Sequence, residues 1–295
     1  MRLLLTGASG LIGRACARHL AESGFEVIGL SRRRGGDPAL ADEIEADLGS
    51  AAAAETIDAA TESCDAIVHA AASRDPSGDS LGLVLTNCLG TQQALALARE
   101  WGSRRFVFIS GVHVVGRPRE TPIRESHPAA PVSAYHVSKL FGERLVEVAA
   151  DRLLNASVLR VSAPVGSSMS RDRVLPTFIA GALAGEPLVV AGRGTRRQNY
   201  VHVRDVARAV ELALDRDVTG LFNVAGPTSI SNRELAERCV GLLDSPSRLE
   251  YRGEDPEEGV VWDVSIEKAR RELSYVPDHG IDDTIRELAA VIGHD

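Results

Sequence analysis

Short apolar runs recur along the first half of the chain. They lie at residues 2–6, 25–30, 65–70, 105–109 and 156–161, with a more polar one at 43–48. Each is long enough for one buried strand. The run Phe106-Val107-Phe108-Ile109 is apolar on both faces, as a strand covered on both sides must be. Between the runs the spacing changes: Ile12, Ala15, Cys16, His19 and Leu20 recur at helical intervals. Helices are likewise predicted over 51–60, 83–101 and 134–150. This alternation of strand and helix predicts an α/β chain with a parallel central sheet.

Past residue 163 the pattern loosens. A small-residue polar loop at 166–173 precedes an apolar helix over 175–184. Strands are predicted at 188–191 and 221–225, and helices at 206–214, 232–243, 266–273 and 282–292. Two units are expected: a larger one over 1–163, and a smaller, mixed α/β substrate lobe over 164–295. Segments around 199–226 are expected to return to the larger unit.

The first strand runs into Gly7-Ala8-Ser9-Gly10-Leu11-Ile12-Gly13, a Gly-x-x-Gly-x-x-Gly turn that opens the first helix. Strand, glycine turn, helix and strand in one stretch form a mononucleotide-binding unit, so the sheet is expected to be a Rossmann doubly wound sheet. The turn lets backbone N–H groups approach a pyrophosphate, and the helix N-terminus adds its positive dipole end. Gly7, Ser9, Gly10, Leu11, Ile12 and Gly13 are therefore cofactor candidates. The second strand ends at Ser31, where an NAD site usually carries an acid for the ribose 2′-hydroxyl; Arg32, Arg33 and Arg34 follow instead. Ser31, Arg32 and Arg33 suit a 2′-phosphate, which favours NADP(H) and leaves NAD(H) open. Asp47 either accepts from an adenine amino group, with Leu48 under the ring, or caps the following helix. The small residues Ala70, Ala71 and Ala72 let the chain pass close to a dinucleotide. The polar stretch 73–82 is a candidate lid.

Composition narrows the partners. The chain has 295 residues, 44% hydrophobic and 25% charged, enough to bury a sizeable core. Aromatics at 4% leave too few rings for a single-strand stacking platform. With 33 Lys and Arg against 41 Asp and Glu, the net charge of −8 argues against nucleic acid and anionic membranes. A small-molecule substrate is expected. Cys16, Cys64, Cys88 and Cys239 form no Cys-x-x-Cys pair and read as reduced residues of a cytoplasmic protein. No apolar run suits a signal peptide or a spanning helix, and no metal constellation is visible.

Tyr135 and Lys139 are four apart at the start of a predicted helix, so they share a face. A nearby ammonium favours the phenolate and lowers a tyrosine pKa from about 10. Tyrosine then exchanges a proton with a carbinol oxygen while hydride moves to or from a nicotinamide, and lysine holds the nicotinamide ribose. With TGASGLIG at 6–13, ADL at 46–48, HAAA at 69–72, Asn87, YHVSK at 135–139, LRVSAPVG at 159–166, NYVHVRDVARA at 199–209 and FNVAG at 222–226, the chain resembles an extended short-chain dehydrogenase/reductase of the NAD(P)-dependent nucleotide-sugar epimerase/dehydratase family. The resemblance implies redox chemistry at a sugar carbinol, with the nucleoside diphosphate held by the C-terminal lobe. It adds Asn87 and Pro164 to the cofactor candidates. It also implies a homodimer packed through the helices at 83–101 and 134–150.

Departures from the family's pattern shape the expected function. Its catalytic Ser or Thr falls at Gly111; Ser110, one residue early, or His113 is the candidate surrogate. Its phosphate-binding Arg is Gln198 here, with Arg193, Arg196, Arg197 and Arg204 around it, and Arg252 matches a diphosphate-binding position. A dehydratase's Asp-Glu pair is replaced by Val112 and His113. The favoured reading is an NADP(H)-dependent reductase of a nucleotide-linked keto-sugar or a related carbonyl compound. The alternatives are an epimerase with tightly bound NAD and a non-catalytic dinucleotide sensor.

Overall fold

The computed structural model describes residues 1–74, 80–150, 154–216 and 218–293. Residues 75–79 of the polar stretch read as a lid lie outside the described residues. Seven strands form the main sheet: β1 (Arg2–Thr6), β2 (Glu26–Ser31), β3 (Asp42–Glu45), β4 (Ala66–His69), β5 (Arg105–Gly111), β6 (Asn155–Val161) and β10 (Gly220–Val224). Their spatial order is β10-β6-β5-β4-β1-β2-β3, and every pairing is parallel. The order reverses between β1 and β4, the point at which such sheets open a crevice beyond their carboxyl ends.

The two-residue period of a strand sorts the core. Leu3 and Leu5 face one side, with Cys16, Ala17 and Leu20 of α1 (Leu11–Glu22) and Val206, Ala209 and Val210 of α7 (Val203–Asp215). Leu4 faces the other, with Ile57 of α2 (Ala53–Ala60), Ala94 of α4 (Gly90–Glu100) and Val146 of α5 (Ala134–Ala149). Truncating one such fully buried leucine to alanine removes apolar contact on a face with no slack, a loss of about 2–5 kcal/mol. α7 packs along α1, and β10 extends the main sheet beyond β6.

The helix expected over 83–101 is interrupted. α3 (Ser80–Leu83) passes into a wider π-turn at Val84–Leu89 before α4 begins. Such turns add a residue to a helix and often lie at functional sites. By length and a mean hydropathy of 1.2, Leu81–Glu100 is apolar enough to span a membrane, against the expectation from sequence. Half of it is buried here, against α2, α5 and β4.

The lobe adds a second sheet. β9 (Arg197–His202) pairs in parallel with β7 (Ala163–Val165) and β13 (Val261–Trp262), and antiparallel with β11 (Ser229–Ser231). β8 (Leu188–Ala191) pairs with β12 (Leu249–Arg252). α6 (Val174–Ala184), α8 (Asn232–Leu242) and α10 (Ile281–Ile292) enclose a core around Phe178, Ile179, Leu235 and Ile285. A capping box at Ser231 and Glu234 starts α8, and Gly185 in the left-handed region ends α6. α9 (Glu267–Leu273) returns Ala269 and Leu273 to the main core. The short strands β7, β11, β12 and β13 were not anticipated, because two- to four-residue strands carry almost no periodic signal.

Candidate active site

One wall of the site is backbone. The chain leaves β1 at Gly7 with φ +71°, a region open to glycine. A Cβ there would lie 2.7 Å from the Cα of Ala71, and one at Gly13 would lie 2.0 Å from the Gly7 carbonyl oxygen. Turn, helix and the 70–72 segment therefore touch without side chains between them. No side chain caps α1 at Gly10, so its first-turn donors are left for a ligand. Gly7, Gly10, Leu11, Ile12 and Gly13 line a cleft of about 590 Å³, with Ala70 and Ala72 beside them. This cradle, which added Cβ atoms would fill, fits a dinucleotide pyrophosphate.

At the far end of that wall, Ser9 donates its N–H to the Ser31 hydroxyl at 3.1 Å. Arg32 and Arg33 are exposed beyond it. Glu43 is the neighbouring acid, but its carboxylate accepts from the N–H groups of Gly35, Gly36 and Asp37. These bonds, that of Gly36 foremost, hold its pKa below the usual carboxylate value. Asp47 accepts from Gly49 N–H at 2.9 Å and so closes a turn; the residue before α2 is Ala52, which corrects the helix-cap alternative. Leu48 is buried with Ile44 and Ala94. Ala71 donates to Thr6.

Asn87, in the π-turn, accepts from Ser73 N–H, and its amide donates to Ser73 O and Ser138 Oγ. With both ends of its side chain engaged, Asn87 anchors the 73–74 segment to α5 instead of facing the cleft.

The facing wall is made of side chains. Ser133 caps α5, accepting from His136 N–H, and thereby fixes the first turn that carries Tyr135 and His136. Tyr135 and Lys139 both reach the cleft. Lys139 Nζ lies 4.3 Å from the Phe108 ring centroid, and burial lowers its pKa to about 8 against the pull of Glu143. Burial raises the Tyr135 pKa, and the cation that opposes this is Arg74, whose Cζ sits 5.6 Å from the ring centroid. The raised pKa differs from the lowering by Lys139 expected from sequence, because desolvation of the hydroxyl outweighs the nearby cation.

Ser110 lines the cleft edge, but its hydroxyl donates to Glu143 Oε1 at 2.6 Å. Arg160 closes the group, with Nε and Nη2 donating to the two carboxylate oxygens at 3.0 and 2.7 Å. All three side chains are buried, and this commitment corrects Ser110 as the surrogate hydroxyl. Gly111 is extended, with φ −132°, and a Cβ there would meet nothing closer than Val161 O at 3.9 Å. Neither strain nor crowding requires a glycine at that position.

His113 enters the cleft from an unexpected 3₁₀ turn at Val112–Val115. A row of rings runs from Trp262 through His113 and His136 to Tyr135, with successive centroids 4.3, 5.5 and 5.2 Å apart. Burial pushes the His113 pKa down to about 3 and also lowers that of His136, so both imidazoles are neutral near pH 7.

The lobe closes the cleft with Pro164, Arg173, Arg196, Gln198 and Tyr200. Arg196 pairs with Glu257 at 2.7 Å. Arg193 and Arg252 do not line the cleft. Each is exposed and paired with a local acid, Glu258 and Glu250 respectively, which corrects both as substrate ligands. Ser162 lies beside Gly111's strand partner Val161, and its hydroxyl is buried without a partner among the described residues.

A family model described as the NAD dependent epimerase/dehydratase family matches residues 3–225. The chain belongs to that family. It is therefore an enzyme, and the sensor alternative is set aside. This epimerase/dehydratase chain is 30% identical to a dTDP-glucose 4,6-dehydratase of Streptomyces niveus, over 94% of its own length and 88% of the relative's. Its fold matches a UDP-glucose 4-epimerase of Thermotoga maritima with a TM-score of 0.90, 22% identity and coverage of 100% and 99% of the two chains. It also matches a UDP-glucuronic acid 4-epimerase of Bacillus cereus, solved with UDP-glucuronic acid and NAD, with a TM-score of 0.85, 23% identity and the same coverage.

Among the cleft residues of this family member that sequence reading did not single out are Arg74, His136, Arg173 and Ser162. Arg74 had a usable signal, being the first charge after the small-residue run that borders the dinucleotide wall. His136 follows the tyrosine directly and was masked by it. Arg173 and Ser162 carried no pattern, since only the fold of the lobe over the sheet brings them to the cleft.

Proposed function

We propose that the protein is an NADP(H)-dependent reductase acting on the keto group of a nucleotide-linked sugar. The observation that carries this reading is the pair Tyr135 and Lys139, one turn apart in the cleft opposite the glycine cradle. Bound in that cradle, the dinucleotide supplies or accepts the hydride. The Tyr135 hydroxyl delivers the proton to the substrate oxygen, or removes it in the reverse direction. Arg74 eases its ionisation and Lys139 holds the ribose side. Ile109 and Val161 add apolar lining to the same cleft. The NADP(H) preference rests on Arg32 and Arg33 and on the engagement of Glu43 by its own loop.

The nucleotide-sugar class follows the relatives and the charge of the cleft. Arg74, Lys139, Arg173 and Arg196 line it, with no Asp or Glu among the described lining residues. That lack also weighs against dehydration, for which no carboxylic acid is at hand. A second reading, epimerisation with a retained NAD, is supported by the fold neighbours that are 4-epimerases. We also propose a homodimer. Val84 and Leu85 of the π-turn and Val137, Phe141 and Val148 of α5 are exposed on adjoining helices and would be covered by a second copy.

The test is the nucleotide carried by purified protein, followed by NADPH and NADH titrations and turnover of Tyr135→Phe. Empty protein that binds NADPH at least tenfold more tightly supports the reductase. Stoichiometric NAD supports the epimerase. Tyr135→Phe is expected to keep cofactor binding and lose about 10²–10⁴-fold in kcat. Unchanged turnover sinks both readings.

A further inference from the structure

Ser162 directly follows β6 and lines the same cleft as Tyr135, Lys139 and Gly111. Its side chain is 3% exposed, and its hydroxyl has no hydrogen-bond partner among the described residues. Buried hydroxyls in folded chains are nearly always bonded, because an unpaired one is costly. No hydrogen bond holds its rotamer, so a turn about one bond presents the oxygen to a bound group.

The strand shows which way Ser162 points. Along β6, Leu159 and Val161 join the core with α1 and α7, while Val158 joins the core with Val146 of α5. Arg160 also faces α5, where it meets Glu143. The ladder runs one residue past β6, since Ser162 N–H donates to Val224 O at 2.9 Å. With a period of two, Ser162 falls on the face of Val158 and Arg160, the face that α5 covers. α5 starts with Ala134 and Tyr135 at the carboxyl edge of the sheet and runs back past Lys139 to Glu143. One strand repeat beyond Arg160 therefore leads the same way as one helical turn back from Glu143, toward Lys139 and Tyr135.

Neighbouring groups are otherwise engaged. The Ser110 hydroxyl donates to Glu143. The His113 ring is packed between Trp262 and His136, with His136 standing between it and Tyr135. A Cβ at Gly111 would lie 3.9 Å from Val161 O, so the room at that position opens on the peptide that joins Val161 to Ser162.

We propose that Ser162 is a catalytic residue whose hydroxyl donates a hydrogen bond to the substrate oxygen that Tyr135 protonates, in place of a hydroxyl at Gly111. This rests on the reading of Tyr135 as proton donor to an oxygen of a nucleotide-linked sugar. Ser162 keeps its own proton. The proton delivered comes from Tyr135, and the serine acts by stabilising the charge that builds on the oxygen in the transition state. One such donor corresponds to about 10²-fold in rate.

The test is single-turnover oxidation of UDP-glucose by excess enzyme with NADP⁺ or NAD⁺, followed by nicotinamide absorbance. It compares the unaltered protein, Tyr135→Phe, Ser162→Ala, and Ser162→Ala combined with Gly111→Ser. NADPH and UDP-glucose affinities and Tm are measured alongside. Ser162→Ala removes one oxygen that no described residue bonds, so Tm is expected to hold within a few degrees. The rate is expected to fall about 10²-fold with both affinities kept within about twofold. Gly111→Ser in that background is expected to recover about tenfold. A rate in Ser162→Ala within about threefold of the unaltered protein overturns the proposal, and so does a fall that Gly111→Ser does not recover. Weakened NADPH binding at an unchanged rate also overturns it and gives the hydroxyl to the cofactor. If Tyr135→Phe keeps the full rate, or the unaltered protein binds NADPH but oxidises no UDP-glucose, the reading of Tyr135 itself fails and takes the proposal with it.

Discussion

The two walls of the cleft are built from different materials. The dinucleotide wall is backbone: Gly7, Gly13 and the open first turn of α1, packed so closely that a single added Cβ would strike a main-chain atom. The opposite wall is side chains: Tyr135 and Lys139 share α5 with Glu143, which is itself bonded to Ser110 and Arg160, and neutral rings flank Tyr135. A backbone wall has few acceptable sequences and one use. A side-chain wall can lose a group, as at Gly111, and keep its shape. The first should be brittle and the second adjustable.

The sharpest break should come at Gly13→Ala. Its Cβ would overlap the Gly7 carbonyl oxygen, so the turn must open. NADPH binding should become undetectable by fluorescence titration, with a clear fall in Tm. Tight binding by this variant would show that the wall is softer than its packing implies.

Gly111→Ser probes the adjustable wall in the opposite sense. The position is extended and has room, so Tm should hold within a few degrees. A hydroxyl there adds a donor near the reacting oxygen. One evolved donor of this type contributes about 10²–10³-fold, and an introduced one should raise kcat by about tenfold. A folded variant with unchanged kcat would place the reacting oxygen elsewhere.

A pH series separates activity from stability through Lys139. Its pKa falls from 10.5 to about 8 in the folded protein. Above pH 8 the ammonium is lost, and kcat should decline about tenfold per unit. Between about pH 8 and 10.5 the unfolded chain retains a proton that the folded chain has released, so stability should rise with pH. Urea unfolding of the unaltered protein against Lys139→Met should show the unaltered protein gaining across that window.

The smallest effect is expected from Ser110→Ala. Removing one hydroxyl from the buried Glu143 and Arg160 group should cost about 1–2 kcal/mol in urea unfolding and change kcat less than twofold. A large fall in kcat with little loss of stability would return Ser110 to the chemistry.

The same division decided what the sequence could reveal. The spacing of Gly7, Gly10 and Gly13 after an apolar run reports its own geometry, because a close-packed turn admits little else. Tyr135 and Lys139 were legible because four residues on a helix fix their relation. Ser110 and Gly111 were not, since neighbouring strand positions face opposite ways and the partners that claim Ser110 come from α5 and β6. Arg193, Arg196 and Arg252 look alike in sequence. Only the pairing of β9 with β13, and of β8 with β12, turns one toward the cleft and leaves two on acids outside it. Arg74 could have been marked as a candidate, yet its bearing on Tyr135 depends on Asn87 holding Ser73 from a turn that composition does not announce.

That turn, at Val84–Leu89, holds about one residue more than a regular helix needs for the same advance. Deleting a residue within it restores an unbroken helix and swings everything before it by about 100° around the axis. Gly90–Glu100 would stay seated on the sheet, while Asn87 would lose Ser73 and the segment bearing Arg74 would lose its anchor. A change of length that a loop absorbs unnoticed becomes a rotation here, so this helix is a dial through which single-residue indels re-aim the mouth of the cleft.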